Sequence, residues 1–319
     1  MTEKALGIVA DIGGTNARFA VAVASAAGLR LSRVLKMRTA EYATLEAAFM
    51  AYTRGLREPI PTRAVISLAC PVAGDSIKLT NCPWVVRPGH IKEVLGLEDL
   101  QLVNDFGAIA RAVPQLPSSD FVSLSGRPVA LPKPGVVSVL GPGTGLGVAL
   151  LHRSNGRDVV IETEGGHIGF APADETEITI MRVLRNRYPR ISAERLVSGP
   201  GLALIYEALA GGESRALVAV DDIALWKAAV AGTDERANAA FERFCMMLGT
   251  VAGDIALAHG ASAVVLAGGL APRFCERLKC SGFLERFRAK GRFESLMRSI
   301  PVAVCTHPDP GLLGAATIL

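Results

Sequence analysis

Short apolar runs that end at glycine or at a polar residue recur along this chain, and they predict strands. The first run covers residues 5–10 and the next covers residues 17–23. The segment between them contains Asp11, Gly13 and Gly14. This pattern predicts a strand, a tight turn and a second strand, with glycines that turn the backbone at positive φ.

The turn itself has two interpretations. Gly-Gly is a favoured turn in an ordinary two-residue hairpin. The same bare amide groups are also suited to an anion such as phosphate. In that case Thr15 adds a hydroxyl donor, and Asp11 is placed to hold a cation beside the anion, directly or through water.

A second turn of the same kind follows later in the chain. Residues 136–140 and 148–151 predict two strands, and the turn between them contains Gly141, Gly143, Thr144 and Gly145. Two such hairpins facing each other would clamp a polyphosphate from both sides. The chain has no G-x-x-x-x-G-K-[ST], and no G-x-G-x-x-G opens a helix, so the P-loop, Rossmann and protein-kinase folds are excluded.

The remaining periodicity predicts an α/β protein. A hairpin is expected between residues 71 and 84. Further strands are predicted at residues 29–38, 65–70, 100–103, 263–267 and 302–306. Helices are predicted at residues 44–56, 107–113, 202–210, 236–258 and 311–319. Residues 114–134 are rich in proline and serine and predict a linker.

Composition adds the expected size and class. A length of 319 residues favours two domains. Together with the linker, it predicts a small domain of residues 1–113 and 303–319 and a large domain of residues 114–302. A hydrophobic content of 50% and a charged content of 20% are typical of a well-packed protein without long disorder.

Charge and cysteine usage bear on partners and location. The net charge of +4 comes from Lys and Arg scattered among acids, so we expect no nucleic-acid partner. No signal-peptide core or long uncharged apolar stretch is present, so we expect no membrane association. The six cysteines lack C-x-x-C spacing and predict buried free thiols. These features together predict a cytoplasmic protein.

Two adjacent polar residues, Asn104 and Asp105, end the predicted strand 100–103. Aspartate is a common helix N-cap, so a structural role for Asp105 is one interpretation. The carboxyl ends of strands in open α/β sheets are also where ligands bind. There an amide that holds a hydroxyl and a carboxylate that accepts its proton would suffice to activate an alcohol, and one aspartate can serve both purposes.

A carboxylate and an imidazole flank another glycine pair. Glu164 and His167 lie on either side of Gly-Gly, which lets the backbone bring both side chains into one small volume. Such a pair can bind several neighbouring hydroxyl groups. Further on, Ser192 predicts a helix cap and Glu194 lies in the first turn, where acids are favoured.

Two other segments leave alternatives open. Asn81 and Trp84 would suit a polar contact and an aromatic wall for a ligand, or a turn and the edge of the core. Gly268 and Gly269 follow a buried strand, where they would let adenine lie against the backbone or would form a simple turn into a helix.

Taken in order, the motifs resemble those of the bacterial glucokinase family within the hexokinase-like superfamily. The resemblance covers nearly the whole chain. It rests on residues 11–18, 68–72, 104–106, 141–147, 164–167, 192–195, 198–201 and 268–269. Ala10 is a small departure, because many relatives have glycine before the aspartate.

The resemblance implies a fold of two actin-like, ribonuclease H-like α/β domains with a cleft between them. It implies ATP-dependent phosphorylation of D-glucose at the 6-hydroxyl, with Asp105 as the catalytic base and Mg²⁺ on the phosphates. The implied sugar ligands are Asn104, Asp105, Glu164, His167 and Glu194. The implied ATP ligands are Asp11, Ile12, Gly13, Gly14, Thr15, Gly141, Gly143, Thr144, Gly145, Gly268 and Gly269, with Asp11 also near the metal.

The resemblance also bears on assembly and on alternatives. It suggests a homodimer. Neighbouring sugar kinases and repressors carry a cysteine-rich zinc motif soon after the histidine, and no cysteine occurs here between His167 and Cys245, so we expect no zinc. A kinase for mannose, fructose or an amino sugar, a polyphosphate-dependent kinase, a silent sugar sensor and an actin-like filament protein remain the alternatives.

Overall fold

The apolar runs form strands in the computed structural model, which describes residues 4–26, 28–56, 59–79, 82–128, 130–211 and 221–319. The strands are β1 (Lys4–Ile12), β2 (Asn16–Ser25), β3 (Gly28–Arg38), β4 (Arg63–Leu68), β5 (Ile77–Lys78), β6 (Val85–Val86), β7 (Asp99–Asn104), β8 (Phe121–Ser123), β9 (Gly135–Pro142), β10 (Leu146–Ser154), β11 (Arg157–Thr163), β12 (Ala263–Leu266) and β13 (Val302–Cys305).

Several helices begin at a side chain that accepts a backbone N–H, as at Thr44, Asp174 and Asp234. The α-helices are α1 (Leu45–Arg54), α2 (Pro88–Val94), α3 (Asp105–Ala112), α4 (Glu175–Arg185), α5 (Ala193–Leu196), α6 (Gly199–Leu209), α7 (Asp222–Ala231), α8 (Glu235–His259), α9 (Cys275–Lys279), α10 (Phe283–Arg288), α11 (Glu294–Ser299) and α12 (Pro310–Ala316). None of the helices in the described ranges combines the length and the apolar character that crossing a bilayer requires.

The contacts divide the chain into two units. Unit 1 comprises Met1–Leu116 and His307–Leu319, and unit 2 comprises Pro117–Thr306. The linker expected at residues 114–134 is not all linker, because β8 lies within it and pairs with β13 in unit 2. All of β13 belongs to unit 2 through its parallel pairing with β12. The domain boundaries expected from sequence, after residues 113 and 302, remain predictions.

Unit 1 is built on a five-stranded sheet in the order β3-β2-β1-β4-β7. The strands β1, β2 and β3 form an antiparallel meander, while β1, β4 and β7 run parallel. Both faces of β1 are buried: Ile8 packs in the core that contains Phe49 of α1, and Val9 packs in the core that contains Leu312 of α12. This is why β1 is apolar at nearly every position rather than at alternate ones.

Unit 2 repeats this order around a six-stranded sheet, β11-β10-β9-β12-β13-β8. Here β9, β10 and β11 form the meander, and β9, β12 and β13 run parallel. The long helix α8 packs on the sheet, with Phe241 and Phe244 fully buried in its core. The two units therefore share one sheet topology, to which unit 2 adds β8.

The sequence prediction left out two strands and several helices. It gave no range for β8, β11, α2, α4, α7, α9, α10 or α11, and α6 begins at Gly199 rather than at residue 202. Cys280 is exposed, unlike the other five cysteines. Trp84 is a core residue, since it is 2% exposed and its indole N–H donates to the Tyr42 carbonyl at 2.9 Å. Asn81 lies outside the described residues.

Candidate active site

The first candidate phosphate turn connects β1, which ends at the buried Ile12, to β2. Thr39 stabilises it: its N–H donates to the Thr15 carbonyl and its hydroxyl donates to the Gly14 carbonyl at 2.8 Å. Gly13 does not adopt positive φ. The expectation is therefore wrong for Gly13, which lies in a three-residue turn where its N–H donates to the Asn16 carbonyl at 2.9 Å. Thr15 is exposed at its tip.

Asp11 lies at the end of β1, next to this turn. Its carboxylate accepts hydrogen bonds from Arg18 Nη1 and Ser67 Oγ, each at 3.3 Å. Burial raises the pKa of the Asp11 carboxyl above its ordinary value, although Arg18 and Ser67 lower it in part. Arg18 also pairs with Asp309, with 3.4 Å between Nε and Oδ1. Asp11 is thus a single, partly exposed carboxylate beside a guanidinium group and a hydroxyl group.

The sequence prediction did not include the pairing of Asp11 and Arg18, although the sequence contains a signal for it. The two residues face each other in the register of the β1–β2 hairpin, so a predicted hairpin already brings them together. Asp309 had no such local signal, because it comes from the far end of the chain.

Asn104 and Asp105 join β7 to α3, and their structural roles differ from the expectation. Asn104 is the N-cap: its Oδ1 accepts the N–H groups of Phe106 and Gly107 at 2.9 and 3.1 Å. Asp105 is the first helical residue, and its Oδ1 accepts the Phe106 N–H at 2.8 Å. The capping role proposed for Asp105 therefore belongs to Asn104, which precedes the helix and whose Oδ1 accepts two of the first turn's free N–H groups instead of one.

The sheet brings the candidate residues of unit 1 to one edge. In the parallel register Ile12 pairs with Leu68, and Leu68 pairs with Asn104. Asp11 and Asn104 therefore lie at the carboxyl ends of β1 and β7. These two strands are separated by β4 and lie about 10 Å apart at the ordinary strand spacing. Asn104 Nδ2 also donates to the Cys70 carbonyl just beyond β4, at 3.4 Å. This is the edge where open α/β sheets bind ligands.

The second candidate phosphate turn connects β9 to β10 in unit 2. Its tip is closed by the Gly143 N–H, which donates to the Gly145 carbonyl at 2.8 Å. A side chain cannot fit at Gly141, where a Cβ would lie 1.8 Å from the Ala267 carbonyl oxygen. The turn therefore lies directly against the end of β12, beside Gly268, which has φ of 89°. Thr144 is exposed at the tip.

The polar residues expected to bind sugar in unit 2 gather beside this turn. His167 Nε2 lies 3.9 Å from Glu164 Oε2 and 3.8 Å from Glu194 Oε1. The other oxygen of Glu194 accepts the Leu146 N–H at 2.9 Å. The side chains of His167 and Glu164 are 57% and 56% exposed, so both are accessible to a ligand.

Glycine and a helix cap make this gathering possible. A Cβ at Gly145 would lie 2.3 Å from Glu194 Oε2, and a Cβ at Gly166 would lie 2.1 Å from the Leu146 carbonyl oxygen. Ser192 caps α5 as expected by accepting the Arg195 N–H at 3.3 Å. Glycine is needed at these two positions because neighbouring atoms occupy the space of a Cβ, and not because the backbone is left-handed.

Metal ligands are few. Within the ranges that the structure describes, no three His, Cys, Asp or Glu side chains are arranged to hold a metal ion. Mg²⁺ bound to a nucleotide ordinarily uses one or two carboxylates together with phosphate oxygens and waters. Asp11, a carboxylate next to the first candidate phosphate turn, fits that requirement. The absence of zinc stays a prediction.

Comparisons with known proteins agree with this architecture. The glucokinase family model matches residues 8–319. A glucokinase from Zymomonas mobilis subsp. mobilis is 50% identical over 310 residues, which cover 97% of this chain and 96% of that protein. The crystal structure of a glucokinase from an Antarctic psychrotroph is 34% identical, covers 98% of both chains and has a TM-score of 0.83.

A glucokinase from Balamuthia mandrillaris, solved in complex with glucose, is 23% identical, covers 98% of this chain and 92% of that chain, and has a TM-score of 0.80. At that identity the likeness shows the fold alone. Together with the repeated sheet topology, the solved structures confirm the expected two-domain actin-like fold.

Proposed function

The chain belongs to the glucokinase family, and on that basis we propose that it transfers the γ-phosphoryl group of ATP to the 6-hydroxyl of D-glucose with Asp105 as the catalytic base. The observation that carries the proposal is Glu194, which contacts both His167 and the backbone of the second candidate phosphate turn. Glu194, which would bind sugar hydroxyls, is thereby in contact with the turn that would bind the phosphates.

Asp105 would orient the sugar hydroxyl and accept its proton as the bond to phosphorus forms. Aspartate is ionised at neutral pH and is a weak base toward an alcohol, so proton transfer comes late and much of the benefit is orientation. Its position at the carboxyl end of β7 supports this role. Phosphoryl transfer depends mainly on such positioning and on charge stabilisation.

The sugar hydroxyls would be held by Asn104, Glu164, His167 and Glu194. The exposed Glu164, the half-buried Glu194 and the imidazole of His167 offer acceptors and a donor within about one sugar ring of each other. A sugar that lacks a matching hydroxyl would leave buried polar groups unpaired, which is the physical basis of selectivity for glucose.

ATP would be held at the two turns. The phosphate ligands are the backbone and Thr15 hydroxyl of the first turn, residues 11–15, and Gly141, Gly143, Thr144 and Gly145 of the second. Gly268 and Gly269 would form part of the adenosine pocket, which is supported by the close approach of Gly141 to Ala267. Asp11 would hold Mg²⁺, directly or through water, and the bound ion would neutralise charge on the phosphates.

The test is ATP-dependent phosphorylation of glucose by the purified protein, run beside mannose, fructose, glucosamine and N-acetylglucosamine, and with polyphosphate in place of ATP. We expect the highest kcat/KM with glucose and ATP. A preference for another sugar or donor would replace the proposal with the corresponding kinase. No turnover, while ATP and glucose still bind, would favour a sugar sensor.

We also propose a cytoplasmic homodimer. Six cysteines without a disulfide suit a reducing compartment, and the resemblance to the family suggests the dimer. Light scattering on the eluate of a sizing column tests the assembly, and a single mass equal to one chain would overturn it.

A further inference from the structure

The motif Ser198–Gly201 has no part in the proposed chemistry, yet it contacts the second phosphate turn. Gly199 is the first residue of α6, where a helix leaves its backbone N–H without an internal partner. That N–H donates to the Gly143 carbonyl at 2.7 Å. The start of α6 therefore supports the tip of the turn from outside.

The other side of the same residue is fixed by a tryptophan. Trp226 on α7 donates its indole N–H to the Gly199 carbonyl at 2.8 Å. Its ring is held among three phenylalanines, with centroid distances of 5.2 Å to Phe244, 5.7 Å to Phe274 and 6.1 Å to Phe241. The aromatic cluster therefore holds the indole N–H of Trp226 in place, where it bonds to Gly199, the residue that contacts the turn.

We propose that Trp226 is a positioning residue for ATP: through Gly199 it fixes the Gly143 peptide in the orientation that the phosphates require. The inference rests on the proposed binding of ATP phosphates by residues 141–145. We expect its effect to fall mainly on the donor, since no described contact links Trp226 directly to Glu164, His167 or Glu194.

The test compares the two tryptophans of the chain. Trp226→Phe removes the indole N–H and keeps an aromatic ring, while Trp84→Phe removes an equivalent N–H that donates to the Tyr42 carbonyl in unit 1. A neutral hydrogen bond is worth about 0.5–1.5 kcal/mol, so we expect Trp226→Phe to raise KM for ATP by about three- to tenfold. KM for glucose should stay within about twofold for both variants, and KM for ATP should be unchanged in Trp84→Phe.

A second pair of variants tests the link from the backbone. In Gly199→Ala the new Cβ would lie 3.0 Å from the Gly143 carbonyl oxygen, whereas Gly89 on α2 has nothing within 4 Å. We expect Gly199→Ala, but not Gly89→Ala, to raise KM for ATP. If Trp226 acts through Gly199, the double variant should be less impaired than the sum of the single variants predicts. This pair decides the matter if Trp226→Phe does not fold.

Thr144→Val separates this inference from its premise. If Thr144→Val leaves KM for ATP unchanged, the second turn is not the phosphate site and the proposed ATP ligands are wrong. If Thr144→Val raises KM for ATP while folded Trp226→Phe and Gly199→Ala do not, only the positioning role is overturned. Equal increases in KM for both substrates in Trp226→Phe would likewise overturn it, because they indicate general loosening.

Discussion

The Glu194 carboxylate accepts the backbone N–H of Leu146 at 2.9 Å while its second oxygen faces His167. One side chain therefore contacts both His167, which is expected to bind sugar, and β10, which follows the second candidate phosphate turn. Because Gly145 has no side chain, nothing separates the carboxylate from that turn. If sugar and phosphate bind as proposed, the two ligands would be coupled through Glu194.

Two substitutions at Glu194 should separate its contacts. Glu194→Gln keeps an oxygen for the Leu146 N–H but loses the charge, so KM for glucose should rise about 10- to 100-fold with little change for ATP. Glu194→Ala loses both contacts and should raise KM for both substrates. Glu175→Gln, an exposed first-turn acid on α4, is the control. Equal ATP effects in the two Glu194 variants would contradict the coupling.

Removal of the proposed base should act on kcat. Asp105→Ala should lower kcat by about 10²- to 10⁴-fold, the usual span for a general base. Asp105→Asn should do the same, although its amide oxygen can still accept the Phe106 N–H and keep the start of α3 intact. Steady-state rates with Asp222→Asn, which changes the equivalent first residue of α7, provide the comparison. Near wild-type turnover in either Asp105 variant would exclude the base assignment.

We expect the kinase activity to require a divalent cation bound at Asp11. Protein and ATP treated with EDTA should be inactive, and added Mg²⁺ should restore the rate. Asp11→Asn should need about tenfold more Mg²⁺ for half-maximal activity, because Mg²⁺ binds such sites through few carboxylates. Asp99→Asn changes an exposed acid at the opposite end of the same sheet and should leave the requirement unchanged. An unaltered Mg²⁺ titration in Asp11→Asn would remove Asp11 from the metal site.

Acid should destabilise unit 2 through Asp174. Burial opposes the effect, but the hydrogen bond from the Glu177 N–H and the guanidinium groups of Arg243 and Arg286 lower the pKa of Asp174 below its ordinary value of 3.8. A lowered folded pKa adds stability above the unfolded value, and that stability is lost as the pH falls below about 4 toward the folded value.

Asp174→Asn isolates this charge, because asparagine caps α4 equally well. We expect it to lower the urea midpoint at pH 7 and to flatten the loss of stability below about pH 4. Asp158→Asn breaks an exposed pair with Arg153 and should change neither. If wild type and Asp174→Asn lose stability in parallel below pH 4, Asp174 does not contribute to the acid transition.

Close packing of α12 on α3 should be sensitive to a single methyl group. A Cβ at Gly314 would lie 1.6 Å from the Ala108 carbonyl oxygen, so the helices must separate. We expect Gly314→Ala to destabilise the protein by about 1–3 kcal/mol or more. Because α3 begins at Asp105, kcat should fall as well. Urea unfolding and rates measured beside Gly89→Ala check this, and unchanged stability would show that the helices can move apart at no cost.

Sequence predicted the two hairpins and the parallel strands because their apolar runs are continuous and their turns are rich in glycine. It missed β11, since Arg157, Asp158 and Glu162 interrupt the apolar pattern of that edge strand. It assigned the cap of α3 to Asp105 because composition cannot distinguish neighbouring cap candidates. The contacts of Glu194 with Leu146 and of Gly199 with Gly143 join residues far apart in the chain, and no local pattern encodes them.

The division of unit 1 into two segments affects the order in which the two units fold during translation. Unit 2 is one continuous stretch, Pro117–Thr306, and all its strands precede the second segment of unit 1, His307–Leu319. Unit 1 receives α12 last, and α12 packs on β1 and α3, the elements that carry Asp11 and Asp105. Ribosome-bound chains should therefore acquire a folded second unit first. Asp11 and Asp105 would become fixed only after residues His307–Leu319 emerge from the ribosome.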